Sequence, residues 1–195
     1  YSMNEIERLI ELSEGRAFVL FTSRNALNFA YEELAPRLPY ESRRQGEMPR
    51  PRLIEWFKST PNAVLFGTAS FWEGVSIDGS QLSCVIIDRI PFQVPDDPVY
   101  EARCQALEQD PDRSWFTDLA LPYATMRLKQ GVGRLIRTSR DRGIVAILDN
   151  RLTKKYYGRR ILECLPPMKI IRCLPSAGSG AMQDFLDLGM DYRGN

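Results

Sequence analysis

The chain has 195 residues, of which 44% are hydrophobic, enough for one domain with a substantial buried core. It contains no histidine, which excludes a Ser-His-Asp triad, a Cys-His dyad and a His-Glu-x-x-His zinc site. The formal net charge of +1 points to no particular partner. No apolar run reaches the length of a membrane span, and no signal peptide is visible. A first residue other than methionine, Tyr1, indicates a fragment of a longer protein.

Helical and strand-like segments alternate along the chain. Apolar residues at helical spacing, with glycine or proline at several ends, predict helices at residues 4–15, 25–38, 53–60, 99–107, 115–137 and 154–165. The helix at 115–137 is expected to break near Pro122 and Gly131. Continuous apolar runs predict strands at residues 16–23, 62–68, 82–90, 143–149 and 168–173. Residues 41–52 are predicted to form a polar loop, and residues 91–98 a proline-rich turn.

Apolar strands that alternate with helices are typical of a parallel sheet covered on both faces, so the predicted fold class is α/β. Ligands of such sheets bind at the carboxyl ends of the strands. Four predicted strands are followed by polar residues: Thr22, Ser23 and Arg24; Thr68 and Ser70; Asp88 and Arg89; Asp149, Asn150 and Arg151. Hydroxyl and basic groups in these positions suit phosphates.

Positive charge is concentrated in one part of the chain. Residues 127–160 contain eleven lysines and arginines and two aspartates, so the remainder is acidic. A segregated basic face suits a phosphate-rich partner, although a solvated helix surface is the commoner cause of such a run. The four cysteines match no zinc pattern and predict free thiols in a reducing cytoplasm: Cys84, Cys104, Cys164 and Cys173.

The segment QGVGRLIR, residues 130–137, has a composition suited to phosphate chemistry. The chain has no G-x-x-x-x-G-K-[ST] phosphate loop and no Asp-Glu pair to hold magnesium beside a nucleotide. Arg134 and Arg137, three residues apart, lie near one helical face, where two guanidiniums can stabilise a phosphoryl group in transit. Gly131 and Gly133 let the backbone approach another surface closely. We therefore expect this segment to supply arginines to a nucleotide held mainly by another domain.

Three motifs, in order and at plausible separations, resemble those of superfamily-2 helicases. QGVGRLIR resembles motif VI in the Q-x-x-G-R-x-x-R form of the XPD-like branch. GTASFWEGVSIDG, residues 67–79, resembles motif V of that branch, and FVLFTSRNAL, residues 18–27, resembles motif IV. The segment at 141–167 resembles the closing strand and helix of DinG-type bacterial members. The resemblance covers roughly residues 3–175.

The resemblance implies the second RecA-like motor domain of an ATP-dependent DNA helicase. ATP and Mg²⁺ would be held mainly by the N-terminal RecA-like domain of the same protein, and any iron–sulfur cluster would also lie outside this chain. Single-stranded DNA, 5′→3′ movement, a repair role, a cytoplasmic monomer and no membrane are expected. Residues 1–175 would form the domain, with a candidate insertion at 96–114 and a flexible tail at 176–195. Alone, the chain should not hydrolyse ATP.

The resemblance also implies roles for residues at matching positions. Arg134 and Arg137 would be the catalytic arginine fingers, and Gln130 would sense the γ-phosphate or its water. Three further residues would bind ATP: Glu73, Gly74 and Gly133. Three others would contact the DNA backbone: Thr22, Ser23 and Thr68. Family members often have an aspartate where this chain has Ser76, which puts an acidic role at that position in doubt unless Asp78 substitutes.

Simpler structural roles compete with these functions. The two arginines could form surface salt bridges with acids such as Asp141, and the hydroxyl residues could cap the following helices. Phe71 and Trp72 could pack in the core or stack on a base. The basic residues between 151 and 160 could form a solvated helix face or contact DNA. At the level of the whole chain, the alternative is a non-catalytic RecA-like module that binds nucleic acid or another protein.

Overall fold

The computed structural model describes residues 2–68, 71, 77, 81–93, 97–135 and 143–172. The helices are α1 (Ser2–Leu12), α2 (Arg24–Leu34), α3 (Arg50–Ser59), α4 (Pro98–Glu108), α5 (Leu121–Leu135), α6 (Arg151–Lys154) and α7 (Tyr156–Glu163), with a π-helical turn (Phe116–Ala120) before α5. The strands are β1 (Ala17–Phe21), β2 (Ser42–Arg44), β3 (Val64–Thr68), β4 (Cys84–Ile87) and β5 (Ile144–Ile147).

Within these residues the five strands form one parallel sheet in the order β2-β3-β1-β4-β5. The central strand β1 pairs with β3 from Ala17 opposite Val64 to Phe21 opposite Thr68. Because all the strands run in one direction, their carboxyl ends lie along one edge, called here the carboxyl edge, and their starts along the amino edge. The predicted α/β fold with a parallel sheet is confirmed.

Side chains of the central strands alternate between two buried clusters. Phe18 and Leu20 of β1 face the layer that contains α3, α5 and α7. Val19 and Phe21 face the layer that contains α1 and α2. The helices cover these faces with apolar residues: Leu53 and Phe57 of α3, Leu121, Ala124, Leu128, Val132 and Leu135 of α5, Ile161 of α7, and Ile6, Leu9, Ile10, Leu27, Ala30 and Leu34 of α1 and α2. Burial on both faces explains the continuous apolar runs that predicted the strands.

The turn between α1 and β1 requires glycine. Gly15 has φ 71°, in the left-handed region, and a Cβ there would lie 1.9 Å from the backbone oxygen of Asn62. The N–H of Gly15 also donates to the carbonyl oxygen of Ile10, at 2.9 Å, which closes the end of the helix. The expectation that Gly15 ends the first helix is confirmed.

The prediction of a loop at residues 41–52 is wrong in part, because Ser42–Arg44 form the edge strand β2 and α3 begins within the same segment. β2 is polar and therefore carries no apolar signal. Parallel backbone pairing with β3 holds it in the sheet. The guanidinium of Arg43 lies 5.1 Å from the ring centroid of Trp56 on α3, which adds a cation–π contact.

The helix predicted at 115–137 has one of its two expected breaks. The π-helical turn Phe116–Ala120 precedes Pro122, which confirms the break there. The α-helix then runs through Gly131 to Leu135, so the second break is wrong. Gly131 is buried on the packed side of the helix, where a small residue fits without interrupting the backbone. The last two predicted residues lie outside the described part of the chain.

The C-terminal predictions are corrected in two places. The helix predicted at 154–165 is divided at Lys155 between α6 and α7. Residues 168–172 form no strand, so the last predicted strand is wrong over that range, and residue 173 lies outside the described residues. Ile170 and Ile171 are half exposed, as expected for apolar residues without a neighbouring strand. The tail at 176–195 also lies outside the description, and in the described residues no helix has the length and apolar character needed to cross a membrane.

Candidate functional site

The hydroxyl residues expected to contact DNA meet at the carboxyl edge. Phe21 of β1 pairs with Thr68 of β3, so Thr22 and Ser23, which follow Phe21, lie beside the end of β3. Thr22 and Ser23 are exposed. The Oγ of Ser23 caps α2 by accepting a hydrogen bond from the N–H of Ala26 at 3.2 Å. The capping role is therefore present, and a capped helix start also presents N–H groups toward an anion.

Thr68 differs from the other two hydroxyl residues because it is buried, with 9% of its surface exposed. Its backbone N–H and its Oγ1 both donate to the Oε1 of Gln45, each at 2.9 Å. Gln45 follows β2 directly, and its own N–H donates to the carbonyl oxygen of Phe66 at 2.8 Å. The side chain of Gln45 thus ties the ends of β2 and β3 together.

Asp149 joins two parts of the sheet at the end of β5, as Gln45 does at the end of β2. Its carboxylate accepts hydrogen bonds from the N–H of Ile90, at 2.9 Å, and from the N–H and guanidinium of Arg151, at 2.6 to 2.9 Å. Burial alone would raise the pKa of Asp149, but these hydrogen bonds and the charge of Arg151 hold its pKa below the usual value. The ionised carboxylate therefore links β5 to the loop after β4.

Asp88 is the second carboxylate at this end of the sheet. Burial raises its pKa, the nearby charge of Asp149 raises it further, and Arg89 partly offsets both. The Nε of Arg89 lies 3.5 Å from the carboxylate of Asp88. In the described residues no group of three or more cysteine, aspartate or glutamate side chains is placed to hold a metal ion. The two aspartates alone do not supply a metal site.

The motif on α5 separates cleanly into a buried and an exposed side. Leu128, Val132 and Leu135 are buried beneath the sheet, whereas Gln130 and Gly133 are exposed. Apart from its chain neighbours and the backbone of its own helix, no heavy atom of the described residues lies within 4 Å of the position that a Cβ on Gly133 would occupy. Gln130 and Gly133 are three residues apart and therefore share one face of the helix, open to a partner surface.

This open face lies near the amino edge of the sheet. The π-helical turn before α5 is near the carboxyl edge, because the rings of Phe116 and Phe92, the latter after β4, are 5.6 Å apart. At the other end of the helix, a Cβ on Gly143 would lie 2.7 Å from Leu135, and Gly143 immediately precedes β5. The helix thus runs antiparallel to the strands, and the structure does not bring Gln130 and Gly133 together with the hydroxyl residues.

Several expected site residues are described only in part or not at all. Arg134 is a backbone member of α5, and its side chain is not described. Arg137, Glu73 and Gly74 lie outside the described residues. Their roles stay predictions.

Four of the basic residues after β5 are exposed, as either a solvated face or a DNA contact requires: Lys154, Lys155, Arg159 and Arg160. Arg151 is instead half-buried against Asp149. Arg159 pairs with Glu163 one helical turn later, at 2.8 Å. Tyr157 is buried against Phe92 and Phe116, whereas Tyr156 is 77% exposed. This surface is thus solvated in the chain alone.

The described cysteines are free thiols, as predicted. Cys84 is fully enclosed in β4, and its burial raises its pKa to about 12, with a hydrogen bond to Ser13 acting in the opposite direction. Cys104 is half-buried and Cys164 is exposed. Cys173 lies outside the described residues.

Gln45 has no signal in the sequence that selects it, because residues 41–52 are polar and predict a loop. A polar residue at the carboxyl end of a strand would have been recognised as a candidate if β2 had been predicted. Asp149 and Arg151 follow a predicted strand, but the hydrogen bond from the N–H of Ile90 to Asp149 depends on the loop after β4, which sequence spacing does not reveal.

Comparison with known proteins gives concordant matches. A family model described as the helicase C-terminal domain matches residues 6–168. The ATP-dependent DNA helicase YoaA of Escherichia coli (strain K12) is 44% identical over 162 residues, 82% of this chain and 25% of that protein. The ATP-dependent helicase DinG of Mycobacterium tuberculosis (strain ATCC 25618 / H37Rv) is 41% identical over 165 residues, 85% of this chain and 25% of that protein. The chain thus spans about a quarter of these curated relatives.

A solved structure titled XPD helicase has the same fold, with a TM-score of 0.60 and 21% sequence identity. The similarity covers 79% of this chain and 28% of that one. At this level of identity the structural match supports the architecture alone.

Proposed function

This chain belongs to the family of helicase C-terminal domains, as its motifs IV, V and VI indicated, and we propose that it is the second RecA-like motor domain of an ATP-dependent DNA helicase. The observation that carries the proposal is the match over residues 6–168, together with relatives that are named ATP-dependent helicases of the DinG and YoaA type. The first motor domain, with the phosphate loop, then belongs to the rest of a longer protein.

In this proposal ATP and Mg²⁺ are held mainly by the first motor domain, and α5 supplies Arg134 and Arg137 as arginine fingers. The open face of α5 supports this, since Gln130 and Gly133 lie on it and Gly133 presents bare backbone. Glu73 and Gly74, which follow β3, are proposed to lie near the nucleotide or to couple it to DNA.

Among the described residues, the donor set does not fit a resident metal or cluster. Cys84 is buried in β4, and the described residues bring no three metal-binding side chains together. As the family resemblance implies, we propose that the first motor domain coordinates magnesium and that any iron–sulfur cluster of the longer protein lies outside this chain.

Single-stranded DNA is proposed to bind along the carboxyl edge, beside Thr22, Ser23 and Thr68. The end of α5 proposed to face the nucleotide lies near the amino edge of the sheet, and the proposed DNA contact lies along the carboxyl edge, at the other end of the strands. A closing movement around ATP would therefore carry the DNA edge along as a rigid unit, and hydrolysis would release it. By family analogy we further propose 5′→3′ movement, a role in DNA repair, and a cytoplasmic monomer.

Residues 1–175 are proposed to form the domain, with an insertion at 96–114 and a tail at 176–195. Helix α4 supports the insertion, because Tyr100 is its only buried residue. A helix that contributes so little to the core can be added to the fold without disturbing the sheet.

The proposal is tested by ATPase activity of the full-length protein, with and without single-stranded DNA. We compare wild type with Arg134→Ala and Arg137→Ala, and with Arg103→Ala, an exposed arginine on α4, as the matched control. Loss of an arginine finger costs roughly 10³-fold or more in turnover, whereas the control should stay near wild type.

DNA-stimulated hydrolysis that collapses in both motif variants supports the motor. A wild-type protein that hydrolyses no ATP under any condition contradicts it and leaves the non-catalytic binding module. Retained activity in both variants would remove the finger assignment.

A further inference from the structure

We propose that the side-chain amide nitrogen of Gln45, and not the hydroxyl of Thr68, is the hydrogen-bond donor to a phosphate of single-stranded nucleic acid at the carboxyl edge, with the guanidinium of Arg24 beside it. This inference rests on the proposed function and names a residue that none of the helicase motifs includes. It follows from the placement of hydrogens, from burial and from the turn after β2.

The first step is the orientation of the Gln45 amide. The N–H and the Oγ1 of Thr68 both lie 2.9 Å from one atom of that amide. A backbone N–H can only donate, so the amide atom that it faces is the oxygen, Oε1. The hydroxyl of Thr68 therefore gives its single hydrogen to Gln45. Because a phosphodiester oxygen only accepts, Thr68 has no hydrogen to offer it unless the bond to Gln45 is broken.

The second step is the position of the amide nitrogen. Nε2 carries two hydrogens, and it has no hydrogen bond to any protein group in the described part of the chain. It is also not among the buried polar atoms without a partner. Gln45 is half-buried and this nitrogen is not enclosed, whereas Thr68 is buried, with 9% of its surface exposed.

A cation lies next to the turn that follows Gln45. Gly46 has φ 106°, a left-handed conformation that favours glycine, and a Cβ there would lie 3.4 Å from the Nη1 of Arg24. The turn therefore brings Arg24, exposed at the start of α2, against the residue that follows Gln45. The nearest acid in this turn, Glu47, lies 3.7 to 3.9 Å from the guanidiniums of Arg43 and Arg44.

An amide donor pair beside a guanidinium is chemically suited to a phosphodiester. The cation supplies attraction that depends on salt, and the amide fixes the position of one phosphate oxygen. A glutamate at position 45 would accept the two Thr68 hydrogens equally well, but it would have no donor and would repel phosphate. The glutamine therefore does something that the strand connection alone does not require.

This difference defines the experiment, which uses the full-length protein. Gln45→Glu keeps the acceptor for Thr68 and removes both outward donors. Thr68→Val removes the hydroxyl and keeps the backbone donor to Gln45. Gln105→Glu, an exposed glutamine on α4, is the control for adding one negative charge. The readouts are the single-stranded DNA concentration for half-maximal ATPase stimulation, the DNA dissociation constant at several salt concentrations, and the melting temperature.

We expect Gln45→Glu to raise the half-maximal DNA concentration about 10-fold or more, as the loss of a hydrogen bond to a charged group predicts. Thr68→Val should raise it by about twofold at most, and the control should match wild type. Arg24→Gln should weaken binding and lower the slope of log affinity against log salt by about 1.

A Gln45→Glu protein that melts like wild type and responds to DNA like wild type overturns the proposal. So does a Thr68→Val variant that loses as much DNA response as Gln45→Glu, because Thr68 would then be the contact. If Gln45→Glu does not fold, Arg24→Gln decides, and an unchanged salt slope in that variant also overturns it. A wild-type protein without DNA-stimulated ATPase contradicts the motor itself, which keeps the two failures distinguishable.

Discussion

Replacing Gly133 with alanine should separate stability from function. Glycine in a helix interior is less favourable than alanine by about 0.5–1 kcal/mol, because the unfolded chain loses more conformational freedom. Beyond its own helix, a Cβ on Gly133 lies more than 4 Å from every heavy atom of the part of the chain that the structure describes, so the added methyl group clashes with none of those residues. The free energy of unfolding should therefore rise by about 0.5–1 kcal/mol, which corresponds to roughly 1–4 °C in melting temperature for a domain of this size.

Gly158 on α7 is the matched control, because it is also a helical glycine but has no room. A Cβ there would lie 2.1 Å from the backbone oxygen of Leu152. Gly158→Ala should therefore destabilise the chain by about 1–3 kcal/mol, since backbone must shift to accept the methyl group. Urea and thermal unfolding, followed by circular dichroism, measure both variants under identical conditions.

The functional arm uses ATPase activity of the full-length protein. If the bare backbone at Gly133 must approach the nucleotide or the first motor domain, Gly133→Ala should lower DNA-stimulated turnover although the fold is more stable. A variant that is both more stable and fully active would show that Gly133 is an ordinary surface glycine. A less stable variant would contradict the open environment on which the reasoning depends.

Three further predictions concern the carboxyl edge and the thiols. Asp149→Ala should lower the free energy of unfolding, measured by urea titration, by about 2–4 kcal/mol, because it leaves the buried N–H of Ile90 unpaired. The pKa of Asp149 is lowered in the folded protein, so its carboxylate stabilises the fold only while it is ionised. The stability difference between wild type and Asp149→Ala should therefore shrink as the pH falls below about 4. Asp88→Asn should raise the free energy of unfolding at pH 7 by about 0.5 kcal/mol after allowance for solvent screening, because it removes a partly buried negative charge. Burial raises the pKa of Asp88 in the folded protein, so this gain should vanish in acid, where Asp88 is neutral. A gain that stays constant with pH would contradict burial as its cause. Cys84 should react with a chromogenic thiol reagent only on unfolding, whereas Cys164 should react in the native protein.

Much of the fold could be predicted from the sequence because burial leaves a strong pattern. β1, β3 and β4 lie between two helical layers, so nearly every side chain in them is apolar. β2 could not be found in this way. It is a short edge strand of Ser42–Arg44, and it is held by backbone pairing and by a ring beneath Arg43, neither of which produces a periodic apolar signal.

The candidate site could likewise be predicted only in part. Strand ends correctly placed Thr22 and Ser23 at the carboxyl edge, whereas the exposed face that Gln130 and Gly133 share became visible only in the structure. The hydrogen bonds of Thr68 could not be predicted, because its partner comes from a segment 23 residues earlier. Contacts of that kind depend on sheet order, which local patterns do not specify.

The opposite placement of the two surfaces has a mechanical consequence for the proposed motor. α5 has 15 residues and is therefore about 22 Å long, which is the distance over which a movement at the end proposed to face the nucleotide must reach the carboxyl edge. The buried face of α5 packs on strands that are themselves enclosed on both sides, and Asp149 and Gln45 tie the strand ends together. Close packing resists internal deformation. In the proposed motor, coupling through this domain would therefore require rotation of the whole sheet with no rearrangement within it, and the residues that join strand ends would be as necessary to it as the residues proposed to meet ATP.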